Sequence, residues 1–419
     1  MMSLTIHRAA HEIGGNCIEL EVDGARLILD AGSPLDAGDT PPAQQVPASL
    51  DLTSPVAAVV ISHPHLDHYG LLHGLPSSWP VWSGPSALTL MRLTGRLSGA
   101  QLRQPVSTYR SFEPFAVGPF EVTPLLTDHS AFDAHMLLIE AAGKRVLYSG
   151  DFRRTGRKAT LVDRLIRRPP ADIDVLLLEG TTLGRADSFP TEQELEERFV
   201  ECFVETRGRV FVSWSAQNID RTVTIYRAAR RAGRTLYLDV YALDVLEQLS
   251  AQHRTLPKLG APGLRGVVTT SMVRMYNSPR RMARPELVDQ LVATGKCIGA
   301  AKLAGQEDAV VMLRPALLRD YVSKGAGPMP GDRWVFSQWS GYMDMGGYPQ
   351  VRRSFEAVGA TVQHIHTSGH ASKADLLALS DAVKPRVLIP IHSFDWDQHL
   401  QDFSRVRRLS DGQRWQLPT

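Results

Sequence analysis

The stretch "VVISHPHLDHYG" (59–70) puts His63, His65, Asp67 and His68 within six positions, directly after a run of apolar β-formers. Imidazole nitrogen and carboxylate oxygen are donors that zinc accepts, and a site that keeps positions open for water does chemistry rather than stapling a fold. His63 and His65 sit two apart just past a strand, so both side chains can face one cation. Asp67 and His68 follow where a helix can begin, "DHYGLLHGL", and can serve a second cation close by. Further donors stand where buried strands end: His129 in "LLTDHSAFDAH", Asp151 in "LYSGDFR" and His392 in "VLIPIHSF". A carboxylate at 151 can bridge two cations.

The elements that must position these residues can be read from pattern. "CIELEVDGARLILDAG" (17–32) alternates around an Asp-Gly turn and predicts a hairpin. "VAAVVIS" (56–62), "FEVTPLLT" (120–127), "KRVLYSGD" (144–151) and "IDVLLLEG" (173–180) predict further strands. Near residue 185 the character changes. "PTEQELEERFVECFVETRG" (190–208) predicts a helix, started by the capping pair Thr191 and Glu194 and stopped at Gly208. Strands at 209–215 and 234–240 then alternate with helices at 218–233 and 242–250, as in a parallel α/β sheet. A strand–helix–strand end follows: 360–370, 373–383 and 386–393. Both outer parts carry histidine clusters, which makes them one domain and the middle block an insertion.

Bulk properties set outer limits. The 419 residues exceed one ordinary core. Apolar content of 43% and charged content of 21% are those of a soluble globular chain. The net charge of +2 says little about partners, but only 8 of the 46 basic residues are lysine. Arginine's planar fork suits phosphate, although genome base composition also produces an arginine excess. Cys17, Cys202 and Cys297 are far apart and form no C-x-x-C pair, which argues against a disulfide framework and for a reducing compartment. "MMSLTIHRAAHEIGG" has no signal-peptide pattern and no apolar run approaches spanning length, so the expected location is the cytoplasm, away from membrane.

"ISHPHLDH", "DHS", "SGDFR" and "IPIHS" resemble the motifs of the metallo-β-lactamase superfamily. "LLLEGTTLG", "SAQNIDR" and "HTSGHAS" resemble those of its β-CASP branch, which contains ribonuclease J and the messenger-RNA 3′-end processing endonuclease. The resemblance implies an α/β fold: a metallo-β-lactamase αββα sandwich in two parts, 1–185 and 346–419, around an inserted Rossmann-like β-CASP domain, 186–345. It implies that His63, His65 and His129 hold one Zn2+, that Asp67, His68 and His392 hold the other, and that Asp151 bridges them; Mn2+ or another divalent cation is an alternative. Asp30, in "ILDAG", matches a position that orients a ligand histidine. Glu179 and His370 match a hydrogen-bonded pair near the leaving group, and His366 and Ser368 a loop that contacts substrate phosphate.

The implied reaction is hydrolysis of single-stranded RNA by a metal-bridging hydroxide. His370, oriented by Glu179, would protonate the leaving 3′-oxygen, and 5′-phosphate and 3′-hydroxyl ends would result. The implied cleft lies between the domains. Arg153, Arg154, Arg157 and Lys158, the helix arginines 221, 227, 230 and 231, and Arg280, Arg281 and Arg284 are candidates to follow a phosphate backbone. Arg221, with Asn218 at that helix's start, stands first among them. Tyr241, Tyr276, Trp214 and Trp339 are read as core, with base stacking as the alternative. His392 matches RNA-acting members, where the DNA-repair branch tends to carry valine. A DNA nuclease, a small-molecule hydrolase and a non-catalytic partner remain as rival readings. The further C-terminal domain usual in ribonuclease J, linked to dimer formation, has no counterpart after "PIHS", which leaves a homodimer open.

Overall fold

The computed structural model describes residues 1–185, 188–279, 281 and 284–418. Two compact units emerge. One comprises Met1–Arg92, Gln101–Phe189 and Gly369–Thr419; the other comprises Leu93–Ala100 and Pro190–Ser368.

The first unit is built on two sheets. The seven-stranded sheet runs in the order Arg414–Gln416, Met2–Arg8, Cys17–Val22, Ala25–Leu29, Ala58–Val60, Val81–Ser83, Val106–Thr108. The six-stranded sheet runs Val387–Pro390, Val175–Leu178, Lys144–Tyr148, His135–Ala141, Phe120–Leu126, Phe115–Val117. The expected hairpin is present, and its turn residues Asp23 and Gly24 have φ of 50° and 83°, the primed geometry that Asp-Gly favours.

Alternation along the strands assigns each side chain to a layer. Leu27, Leu29, Leu137 and Ile139 face a core shared by the two sheets. Ile28 and Val59 face outward onto Tyr69, Leu71, Leu72 and Met91. Met136 and Leu138 face outward onto Val162, Leu376 and Leu379, which belong to helices Ala159–Arg167 and Lys373–Val383. Both faces of both sheets are therefore covered, which makes an αββα sandwich. Its last strand, Val387–Pro390, comes from the end of the chain and pairs in parallel with Val175–Leu178.

The second unit has one seven-stranded, wholly parallel sheet in the order Cys297–Gly299, Leu264–Val268, Thr235–Asp239, Ala309–Met312, Val210–Ser213, Arg333–Phe336, Thr361–His364. The helix expected after residue 190 runs Glu192–Glu205 and makes the reciprocal capping box between Thr191 and Glu194. It closes before Gly208, because Thr206 turns its hydroxyl back onto the Cys202 carbonyl at 2.7 Å. Among the described residues, no helix is long and apolar enough to cross a membrane.

Candidate metal centre

Every expected metal-ligand position lies in the first unit, on loops that leave strand ends. Strand Ala58–Val60 leads into Ser62 and His63, and the short helix Leu66–Tyr69 carries Asp67 and His68. That turn is locked against the segment 30–33: Ala31 N–H donates to the His68 carbonyl at 2.7 Å, and Ser33 N–H to Leu66 at 3.0 Å. Gly32 is required for this approach, since a Cβ there would lie 1.7 Å from the Asp67 carbonyl oxygen. His129 follows Phe120–Leu126, Asp151 follows Lys144–Tyr148, and His392 follows Val387–Pro390. His392 takes a left-handed backbone, φ 53°, a strained conformation typical of functional loops.

The ligand atoms of His63, His65 and His129 lie within 4.8 Å of one another, as do those of Asp67, His68, Asp151 and His392. Asp151 Oδ2 is central: it lies 3.1 Å from His68 Nε2, 3.6 Å from His63 Nε2, 3.9 Å from His392 Nε2 and 4.0 Å from His129 Nε2. A third group joins His129, Asp151 and His370. His370 Nδ1 is 3.1 Å from Glu179 Oε2 and 3.6 Å from Asp151 Oδ2, so it stands beside the centre and against its expected partner.

The outer hydrogen bonds fix which nitrogen each histidine turns inward. Asp30 Oδ2 accepts from Ser62 Oγ at 2.7 Å, from Tyr148 at 2.5 Å and from His68 Nδ1 at 2.7 Å. The Ser62 proton being spent on Asp30, His63 Nδ1 donates to Ser62 Oγ at 3.0 Å. His392 Nδ1 donates to Asn16 Oδ1 at 2.5 Å, and Asn16 Nδ2 donates to the Tyr148 hydroxyl at 2.9 Å. His63 and His392 thus each present a bare Nε2 to the centre, whereas His68 Nε2 lies against Asp151 Oδ2 at 3.1 Å. Asn16, Ser62 and Tyr148 were not picked out from sequence; only the buried polar character of "GGN" and "LYSGD" hints at them.

The electrostatics suit cations. Burial pushes His63 and His129 well below the ordinary imidazole range and His65 down to about 4, which keeps them neutral. Burial would depress His68 too, but Asp151, Asp30 and Asp67 outweigh it and hold that ring well above its usual value. Burial would raise Asp151, yet His392, His68 and His370 hold it well below the carboxylate range. His63 Nε2, His392 Nε2 and Asp151 Oδ1 are buried without a hydrogen-bond partner. Buried polar atoms are seldom left so. Two lone pairs and a carboxylate oxygen in one pocket of nitrogen and oxygen donors form a site for divalent cations, and the residues fit that role.

The expected substrate contacts fare differently. Arg221 is fully buried. Its guanidinium forks onto Glu192 at 2.9 and 3.2 Å and donates to Ser337, so it is a structural anchor and not an open phosphate contact. Asn218 is the cap of helix Ile219–Arg231, its Oδ1 accepting from Arg221 N–H at 3.0 Å. Arg153 is buried beside Asp128 at 3.5 Å; Arg154 pairs with Asp163 and Asp375, Arg227 with Glu196, Arg231 with Glu196 and Glu197, and Arg284 with Asp244, Glu247 and Glu286. Lys158 lies over the Phe132 ring and Arg230 over Tyr226. Arg280 lies outside the described residues. His366 and Ser368 are half-buried in the second unit, and Arg221 Nη1 reaches His366 Nδ1 at 3.4 Å. Trp214 and Tyr276 are core, as read from sequence, whereas Tyr241 is half-buried and Trp339 exposed.

Residues 12–190 match the metallo-beta-lactamase superfamily, and residues 356–396 match the Zn-dependent metallo-hydrolase RNA specificity domain. The chain is similar to Ribonuclease J of Sinorhizobium meliloti, 22% identical over 392 residues, covering 85% of this chain and 63% of that protein. It is similar to Ribonuclease J of Thermus thermophilus, 23% identical over 410 residues, covering 91% and 66%. The chain thus spans somewhat under two thirds of the length of these relatives. A solved structure, a protein of unknown function from Enterococcus faecalis V583, shares the fold over 99% of both chains with a TM-score of 0.77 and 18% identity.

Proposed function

The chain belongs to the metallo-beta-lactamase superfamily, and from that premise we propose that it is a zinc-dependent phosphodiesterase of the β-CASP, ribonuclease J-like branch that hydrolyses single-stranded RNA, leaving 5′-phosphate and 3′-hydroxyl ends. One observation carries the reading. His63 Nε2, His392 Nε2 and Asp151 Oδ1 are buried, unpartnered, and gathered with His65, Asp67, His68 and His129 around one small volume. Support for RNA comes from the match to an RNA specificity domain, which covers His366, Ser368, His370 and His392. We read the unit holding Pro190–Ser368 as the β-CASP insertion.

In this reading His63, His65 and His129 would hold one cation and Asp67, His68 and His392 the other, with Asp151 available to both. Bound divalent cations supply Lewis acidity and lower the pKa of water. Asp30 and Asn16 keep His68 and His392 turned inward. Glu179 accepts from His370 Nδ1, which leaves Nε2 to pass a proton to the leaving 3′-oxygen. The Glu179 and Asp151 carboxylates overcome the effect of burial and raise His370, which favours the protonated ring. His366 and Ser368 contact a substrate phosphate. The three cysteines are unpaired, in keeping with a cytoplasmic enzyme.

The test is a cleavage assay on matched single strands of RNA and DNA, each with 5′-phosphate or 5′-hydroxyl, beside a metal-stripped control. Metal-dependent cleavage of RNA, with 5′-phosphate ends on the products, is the expected result. Equal cleavage of DNA would remove the preference for RNA. Cleavage of neither polymer by metal-loaded protein would overturn the reading in favour of a small-molecule hydrolase.

A further inference from the structure

The first unit carries a groove of about 830 Å³ that none of the metal ligands lines, and its volume is that of a ligand site. Its floor is apolar. Leu125 and Leu126 come from the end of strand Phe120–Leu126, and Leu161 and Leu165 from helix Ala159–Arg167; all four are half-buried. The edge strand Phe115–Val117 pairs with Phe120–Val122 and stops there. Beyond it, Phe112 N–H donates to the Pro124 carbonyl at 2.7 Å, which sets Phe112 against the groove with 54% of its surface exposed. Thr127 also lines the groove, and its buried hydroxyl has no hydrogen-bond partner among the described residues.

The rim is cationic. Leu161, Arg164, Leu165 and Arg168 follow the i, i+3, i+4, i+7 spacing of one helix face, so leucine and arginine share it. Arg164, Arg167 and Arg168 all line the groove and all are exposed. Arg145 pairs with Glu140, and Arg154 takes up Asp163 of the same helix. Arg164, Arg167 and Arg168 form no ion pair or side-chain hydrogen bond among the described residues. The helix end favours cations, yet like charges three and four positions apart oppose one another, and an anion between them relieves that.

We propose that this groove binds an acidic, leucine- or phenylalanine-bearing peptide segment of another protein. An apolar depression rimmed by charge is a recognition surface rather than ordinary exterior. The floor accepts aliphatic or aromatic side chains, the three guanidinium groups accept carboxylates, and a peptide carbonyl can accept from Thr127. A polynucleotide would match the rim but set its polar edges against leucine. The inference stands apart from the nuclease reading.

The test uses the full chain and a library of peptides of about 12 residues made of Glu, Leu, Phe and Ser, beside a matched library with Lys for Glu. The acidic library should yield binders and the basic one none. The triple variant R164Q/R167Q/R168Q should weaken the best binder about tenfold or more at low salt, while R164K/R167K/R168K keeps most of the affinity. Phe112 has φ of 66°, a conformation that asparagine tolerates. Phe112→Asn should therefore weaken the peptide by a similar factor with the unfolding midpoint unchanged. An acidic library without binders would overturn the site, as would binders that ignore both variants. A glutamine variant with a lower unfolding midpoint and unchanged peptide affinity would overturn it too, leaving the arginines to serve the helix end alone. Arginine-dependent binding of oligouridylate in place of peptide would give the groove to nucleic acid, and loss of self-association in F112N would give it to a second copy; either refutes the proposal. RNA cleavage by these variants should stay at the wild-type level, so the groove and the nuclease reading fail separately.

Discussion

The Tyr148 hydroxyl donates to the same Asp30 oxygen that accepts from His68 Nδ1, and it accepts in turn from the Asn16 amide that orients His392. One phenol therefore ties two candidate metal ligands, 324 positions apart in the chain (68 and 392), to one carboxylate. Burial and the Asp30 carboxylate push Tyr148 well above the usual phenol range, so it stays a donor. Tyr148→Phe leaves Asn16 without its acceptor and frees both rings to turn. Metal affinity should fall about tenfold, as chelator competition would measure, with the circular dichroism spectrum unchanged. Undiminished affinity would mean that packing alone orients the ligands.

In the proposed mechanism Asp67 and His370 stand on opposite sides of the division between ligand and proton donor. Asp67 Oδ2 lies 3.8 Å from His392 Nε2 and 3.9 Å from His68 Nε2. Asp67→Ala should lower the metal bound per chain by about half and bring hydrolysis close to background. His370→Ala should slow turnover by about a hundredfold or more with the metal retained. His370 also falls in a possible ligand group with His129 and Asp151. Loss of metal from H370A, read by elemental analysis, would reassign it from proton donor to ligand.

A third expectation concerns acid stability and the first sheet. Glu19 is buried on Cys17–Val22, where Arg26 donates to it at 2.7 and 3.0 Å and His7 Nε2 lies 3.4 Å away. Burial alone would raise its carboxyl, but the hydrogen bonds from His7 and Arg26 outweigh that and hold it below the usual range. In the unfolded chain the carboxyl takes up its proton near about 4.3, while the folded one stays ionised to lower pH. The unfolded state then binds more protons, so this contribution is fully present above that value and is lost as the pH falls through the folded pKa. Glu19→Gln should flatten the fall of unfolding free energy between about pH 5 and 3. Parallel slopes for variant and wild type would remove Glu19 from the acid limb.

What could be read from sequence follows the range over which each feature is determined. The H-x-H-x-D-H cluster is local: its donors are neighbours in the chain, and the preceding apolar strand places them. The capping box at Thr191 and the primed turn at Asp23-Gly24 are local in the same way. Asn16, Ser62 and Tyr148 are ordinary residues whose roles exist only because strands distant in the chain bring them to Asp30 and His392. Trp214 and Trp339 look alike in sequence, yet one is in the core and the other is 45% exposed. Neighbouring residues in the chain do not distinguish them, because burial is decided by what packs on top.

Arg221 shows the same effect in reverse. The "NIDR" motif marks it, but the fold buries it and commits its guanidinium to Glu192, Ser337 and His366. A fully buried Arg–Glu pair is costly to break from one side, because the remaining charge is left without its partner. Arg221→Met should therefore lower stability by about 3–5 kcal/mol, read from urea midpoints. Arg221→Lys should recover only part of this, since an ammonium cannot make the two-point fork. A residue that bound phosphate directly would behave otherwise. Its loss would leave stability nearly intact and reduce the slope of log affinity against log salt by about one. The expected pattern is a large fall in the urea midpoint with the salt slope unchanged; the opposite pattern would return Arg221 to the substrate.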